Sequence, residues 1–334
     1  MRKPIPWAAA VVLALLAPGC DATLPDNPEE TDVWEWTQVA PYGDTGAYYA
    51  AAFTIGERAY VGTGYDFTTD FWEYNPDTNA WAQKADFAGP ARGASVGFAI
   101  GSKGYIGLGL NADNVQCADL WEYDPSTDGW TQKSSLPGFA RDHAGSFVIG
   151  EKAYVFGGVH KVSDTVYADL KEVWEYDPQA DLWTRKADLP EGAVSPACFV
   201  INGKGYFGTG VISSDPRTLS AHLWEYDPPS DTWTAKAAFP GEARYGAVGF
   251  AVNSKGYIGT GLKTLTASSA SVFLDLWQYN PQTDAWTQQT DFGGTSRGAA
   301  VGFVLGTRVF VGTGVDSSRN PLRTCWRSTP PAGI

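Results

Sequence analysis

Apolar and polar positions alternate along this chain in short runs, and the runs recur. In Trp72-Glu73-Tyr74 two aromatics flank a charge, so they share one face of an extended strand while Glu73 takes the other. Asn75-Pro76-Asp77-Thr78-Asn79 follows and is turn chemistry: proline fixes φ, and the Asx side chains cap nearby backbone. Trp81 then opens a further strand. The segment 72–81 returns at 121–130, 174–183, 224–233 and 277–286, always with eight residues between the tryptophans and a proline four after the first. A glycine-ended apolar run precedes each copy, at 59–64, 104–109, 153–158, 205–210 and 256–261, and 309–314 makes a sixth. Ahead of these lies a strand rich in small residues, such as Gly93 to Ile100. The interval between copies is 45 to 53 residues, the period of a repeat architecture with one sheet per unit.

These elements resemble the kelch repeat, and the resemblance covers nearly all of the chain after residue 32. It implies four-stranded blades set around a central channel. The family's diglycine stands literally only at Gly157-Gly158; elsewhere it is Gly-Thr-Gly or Gly-Leu-Gly, with the last glycine kept in all six copies. The residue chemistry agrees. Innermost strands converge near an axis, where only Ala, Ser and Gly fit, and the widening gap further out needs Trp and Tyr to fill it. Trp326 stands in for the first tryptophan of a sixth copy that has no fourth strand after it. Trp34-Glu35-Trp36-Thr37-Gln38 matches the fourth strands at Trp130-Thr131-Gln132 and Trp286-Thr287-Gln288. The expected fold is therefore an all-β, six-bladed kelch-type β-propeller over 33–328, its last blade closed by the N-terminal strand, with a short tail at 329–334. Closure of this kind leaves no open sheet edge. Glu73, Glu122, Glu175 and Glu225 accompany Lys84, Lys133, Lys186 and Lys236, and in the fifth copy both change together, to Gln278 and Gln289. This predicts cross-strand Glu–Lys pairs rather than a carboxylate site.

The N-terminus adds a compartment. Arg2 and Lys3 precede an apolar stretch from Trp7 to Ala17 that is too short to span a bilayer but has signal-peptide length. It ends in Ala17-Pro18-Gly19-Cys20, which resembles the lipobox of bacterial lipoproteins, although Leu16 lies four residues before Cys20 instead of three. Residues 1–19 are read as a lipoprotein-type signal peptide, Cys20 as the lipidation site, and 20–32 as an acidic, proline-containing tether. The reading places the protein outside the cytoplasm, in a bacterial cell envelope, meeting the membrane through the lipid anchor only. Removing 1–19 leaves 22 basic and 37 acidic residues, a net of −15. Such a surface repels phosphates, so no nucleic-acid partner is expected. Cys117, Cys198 and Cys325 are scattered and odd in number, giving neither a disulfide framework nor a metal site. No cofactor is expected, and the chain is read as a monomer.

Candidate chemistry sits where the chain passes from one blade to the next. Arg92, Arg141, Arg244 and Arg297 are equivalent, each six residues before a phenylalanine; the other two copies have Ala47 and, in a shorter loop, Val194 or Ser195. Four arginines near one channel mouth either form a carboxylate-binding ring or serve the repeat by bonding neighbouring carbonyls and acids. His143 breaks the symmetry, since the sister positions in the other arginine-bearing copies are Ala or Gly, and it follows Arg141 and Asp142. In an enzyme, His143 with Asp142 is the candidate acid/base pair; otherwise His143 is a hydrogen-bonded filler. His160 and His222 fall in loops between second and third strands, which are long in copies three to six and wall the same mouth. The ligand-binding candidates are thus Arg92, Arg141, Arg244, Arg297 and His143.

The sequence favours an exported binding module that engages a glycan or an envelope protein. The alternative is a carbohydrate-active enzyme resembling the periplasmic sialic-acid mutarotases, which are kelch propellers. A copper radical oxidase resembling galactose oxidase is excluded, because that chemistry needs two histidine ligands and a Tyr–Cys crosslink, and none of the three histidines lies in a matching motif.

Overall fold

Each repeat folds as one antiparallel four-stranded sheet, and six such sheets surround an axis. The structure is a computed structural model that describes residues 33–214, 216–265 and 269–331. The signal-peptide segment, Cys20, the tether and residues 332–334 of the tail lie outside them.

Blade 1 comprises Ala51–Ile55, Arg58–Gly62, Phe71–Asn75 and Ala80–Gln83. Blade 2 comprises Val96–Ile100, Lys103–Gly107, Leu120–Asp124 and Gly129–Lys133; blade 3 comprises Gly145–Ile149, Lys152–Phe156, Val173–Asp177 and Leu182–Lys186. Blade 4 runs through Ala197–Ile201, Lys204–Gly208, Leu223–Asp227 and Thr232–Lys236, and blade 5 through Val248–Val252, Lys255–Gly259, Leu276–Asn280 and Ala285–Gln288. Blade 6 is Val301–Leu305, Arg308–Gly312 and Cys325–Ser328, completed on its outer edge by Thr37–Val39. Thr37 pairs with Arg327 and Val39 with Cys325, so the ring closes as the repeat count required.

Two devices recur between blades. The third-strand tyrosine of blades 2 to 5 reaches onto the second strand of the blade before it: Tyr123 on Tyr60, Tyr176 on Tyr105, Tyr226 on Tyr154 and Tyr279 on Tyr206, with centroids 5.4–5.9 Å apart. The second tryptophan and the Asx residue of the turn then clamp one backbone residue of that earlier blade. Trp130 Nε1 donates to the Ala85 carbonyl at 3.0 Å while Asp128 accepts the Ala85 N–H at 3.0 Å. Trp183 and Asp181 hold Ser134, Trp233 and Asp231 hold Ala187, and Trp286 and Asp284 hold Ala237 in the same way. Trp81 and Asn79 hold Ala40, tying blade 1 to the N-terminal strand.

The Glu positions behave differently from the expectation in part. Glu175 and Glu225 do have Lys186 and Lys236 at 3.9 Å, but Lys152 and Lys204, on the second strand, come closer at 2.8 Å. Glu73 pairs with Arg58 instead, and Lys84 turns to Asp128. The shared partner is a second-strand tyrosine: Tyr60, Tyr105, Tyr154 and Tyr206 each donate to the glutamate opposite. That register pair is directly cross-strand, whereas the lysine of the fourth strand lies one diagonal away.

Candidate functional site

The loops that lead from a fourth strand to the next first strand meet at the axis. In each of them one residue adopts the left-handed conformation: Tyr49, Ala94, His143, Ser195, Gly246 and Ala299, with φ between 51° and 58°. Their backbones form a closed circle. Each donates its N–H to the carbonyl of its counterpart in the blade before, Ala94 to Tyr49, His143 to Ala94 and so on to Tyr49 to Ala299, at 2.8–3.0 Å. Positive φ is costly for residues with a Cβ, and the circle of bonds is what holds them there. Three of its members, Tyr49, His143 and Ser195, line the floor of a cavity.

Two residues before each ring member stands the repeat position that carries arginine in four blades. The structure corrects the expectation for these side chains. Arg92, Arg141, Arg244 and Arg297 are fully buried and do not line the cavity. Each donates Nε–H to the carbonyl two residues back and NH1 to a carbonyl sixteen residues on. Arg92 grips Asp119 with both NH groups, at 2.5 and 2.7 Å; Arg141 pairs with Glu172 and Arg244 with Asp275. Arg297 has Thr324 where its sisters have an acid, and burial alone pushes its pKa down to about 10. Their donors are consumed inside the wall, so they serve the repeat. The sixth equivalent is Ala193, not Val194 or Ser195: the Gly158 N–H bonds the Ala193 carbonyl just as the Gly109 N–H bonds that of Arg141. In that blade Glu191 fills the slot and accepts from Trp224 Nε1 at 2.9 Å, with His222 beside it at 2.8 Å. His222 is therefore part of the same wall, and His160 bonds the Ala140 carbonyl under the Phe139 ring.

His143 and Asp142 do face the cavity. Its volume is about 520 Å³, within the range of small-molecule sites. Tyr48, Tyr49, Tyr65, Tyr167 and Tyr245 supply most of its aromatic wall. Asp142 is buried; it accepts from Gln116 Nε2 at 2.6 Å through one oxygen and bonds His143 Nδ1 through the other. Gln116 is itself fixed, donating to the Val159 carbonyl at 2.8 Å and accepting the Lys161 N–H at 2.7 Å. An imidazole whose Nδ1–H is taken by a carboxylate presents Nε2 as its acceptor; here Nε2 lies 3.5 Å from the Tyr65 hydroxyl. Tyr49 stands edge-on to the same ring at 4.6 Å. Burial, and for Tyr65 the charge of Asp142, pushes both phenols up, so both keep their protons. Ser195, in the floor, is buried beside the Tyr49 phenol.

Two cations line this mouth, Lys161, which pairs with Asp164 at 2.9 Å, and Arg217, which stands outside the arginine repeat. Arg217 lies in a hairpin of blade 4, Val211–Ser214 with Arg217–Leu219, and its guanidinium carbon sits 4.2 Å over the Tyr245 ring. No ion pair of Arg217 is found among the described residues. The hairpin is held by Ser214, whose N–H bonds Asp169 of blade 3 at 2.7 Å. Sequence reasoning could have found the tyrosines as it found His143. Ring positions are Ala or Gly in three blades and Tyr49, His143 and Ser195 in the others, so the departures from the repeat point at the site.

Comparison with known proteins agrees with this architecture. Residues 140–190, which contain Gly157-Gly158, match the Kelch motif. A solved structure titled "Structure of YjhT" superposes with a TM-score of 0.74 at 16% identity, covering 86% of this chain and 95% of that one. No curated protein matches the chain. The protein is a six-bladed β-propeller with a kelch motif in its third blade.

Proposed function

We propose that this protein is an exported binding propeller of the cell envelope, anchored through Cys20, whose mouth cavity takes a small polyhydroxylated ligand such as a glycan unit. The observation that carries the reading is the wall of five tyrosines around the hydrogen-bonded floor. Tyrosine faces stack on the apolar faces of sugar rings, while their hydroxyls and the Ser195 hydroxyl are placed for ring hydroxyls. Arg217, stacked on Tyr245 and with no ion pair among the described residues, offers its in-plane N–H groups to a carboxylate on such a ring. The signal-like N-terminus and the acidic surface support export and argue against nucleic acid.

One observation favours a second reading, a carbohydrate-active enzyme: the carboxylate-oriented imidazole of His143, with Nε2 turned into the cavity. Such a pair can move a proton to or from a bound hydroxyl. The experiment is a thermal-shift screen of residues 21–334 with neutral sugars and sugar acids, repeated with Arg217→Ala and His143→Ala. A ligand at 100 times its Kd adds about 2.7 kcal/mol of stability. Binding that survives in neither variant supports the cavity site. Binding kept by His143→Ala, with loss of turnover of the bound sugar, favours the enzyme. If no sugar shifts the parent, the glycan reading is wrong.

A further inference from the structure

Each second strand opens with a cation, Arg58, Lys103, Lys152, Lys204, Lys255 and Arg308, at the end of its blade remote from the mouth. At the four seams between blades 1 and 5 this cation belongs to a balanced set of four charges. The other three are the third-strand glutamate, the fourth-strand lysine and the turn aspartate of the next blade. Between blades 3 and 4 the set is Lys152, Glu175, Lys186 and Asp231, and Lys186 reaches both acids, at 3.9 and 4.0 Å. The four positions therefore converge on one place.

The seam between blades 6 and 1 has the same positions and no acid at any of them. Arg308 keeps the second-strand cation. Arg327 lies opposite Phe310, in the register where sister blades set glutamate opposite tyrosine. Val39 stands where the lysine would, and Asn79 where the aspartate would. Asn79 still accepts from the Tyr74 hydroxyl and the Ala40 N–H with its one oxygen, so the clamp survives while the charge is gone. Two guanidinium groups remain on one face of the sheet, one diagonal apart, a spacing of about 7–8 Å. Burial pushes the Tyr74 phenol of blade 1 up and both guanidinium charges oppose it, so both face that blade. Both arginines are half-buried, and neither makes an ion pair or a hydrogen bond among the described residues.

Two like charges side by side repel, and partial burial raises the cost of leaving them unpaired. A bound anion removes both penalties. We propose that Arg308 and Arg327 form a site for a phosphate group, separate from the cavity and at the opposite end of the propeller. Two planar forks of N–H donors suit an oxyanion with three free oxygens. A phosphate monoester carries about −1.5 to −2 at pH 7, which matches the two positive charges. The chain as a whole is acidic, net −13, so a polyanion is repelled while a single phosphate is admitted at this seam.

The test is calorimetric titration of residues 21–334 with inorganic phosphate at pH 7, beside sedimentation with vesicles of phosphatidylcholine containing phosphatidic acid. The variants are Arg308→Gln and Arg327→Glu; the second restores the sister pattern and gives Arg308 the partner that Arg58 has in Glu73. Phosphate is expected to bind the parent, and to bind each variant at least about tenfold more weakly. Arg327→Glu should melt no lower than the parent, so its loss of binding is not a loss of fold. Lys152→Gln, the same charge change in a balanced seam, should bind as the parent does. Phosphate binding without vesicle capture assigns the site to a soluble phosphate, and capture that Arg327→Glu abolishes assigns it to a lipid headgroup. Equal affinity or equal capture in parent and Arg327→Glu overturns the site, as does the absence of both.

Discussion

Trp34 meets Tyr257 edge-on, with ring centroids 5.2 Å apart, in the place that a third-strand tyrosine fills at the neighbouring interfaces. Blade 6 has Ser328 at that third-strand position, buried but without a ring to reach blade 5. The N-terminal segment supplies the missing aromatic as well as the missing strand. It also stacks on Trp36, which packs against Phe292. The clamp that holds the other interfaces is absent here among the described residues: the indole N–H groups of Trp34, Trp36 and Trp326 are buried with no partner among them.

The interface between blades 5 and 6 therefore rests on aromatic packing without the indole clamp of the other five. Trp34→Ala should cost about 3–5 kcal/mol, as removal of a large buried aromatic does. Trp34→Phe keeps the edge contact and removes an unpaired donor, so it should be close to neutral. Urea unfolding of both variants checks this, with the larger loss required of the alanine.

Arg92→Ala should destabilise by about 3–5 kcal/mol, because it leaves Asp119 without its cation and two buried carbonyls without donors. Ligand binding at the mouth should be unaltered. A titration showing lost affinity in a variant that still melts cooperatively would return the arginine ring to the binding surface.

Thr324→Asp should stabilise. It gives Arg297 the carboxylate that Arg92, Arg141 and Arg244 already have at the equivalent position. The gain expected is about 1 kcal/mol, a rise in Tm of about 2 °C. The Arg297 pKa, now near 10, should move up with it.

Acid should unfold the ring by releasing these same pairs. Burial favours the neutral forms of Asp119 and Glu172, but hydrogen bonds and charge from Arg92 and Arg141 outweigh it and hold both carboxyls below their usual 3.8 and 4.5. A depressed folded pKa means that the native state binds fewer protons than the unfolded chain. The contribution is then complete above the unfolded values and is lost as pH falls through the folded ones. Denaturation midpoints measured from pH 7 to pH 3 should be level down to about pH 5 and fall below it. In an Arg92→Met, Asp119→Leu double variant the fall should be smaller.

The sequence by itself determined the architecture. Blade count, strand order and closure by Trp34 to Gln38 follow from a repeat in which each residue type has one place that suits it. Small residues fit at the axis, tryptophan fits in the widening gap, and Pro and Asx make the turns. Because those constraints are local and repeated six times, they can be read along the chain. The site could be read only where the repeat is broken, and His143 was such a break. Whether Arg92 faces a ligand or a neighbouring aspartate is decided by packing across sixteen or more residues, and the same arginine spacing serves either outcome. The cavity is assembled from Tyr49, Gln116, His143, Arg217 and Tyr245, one from each of five blades. Only closure of the ring brings them within reach of one ligand.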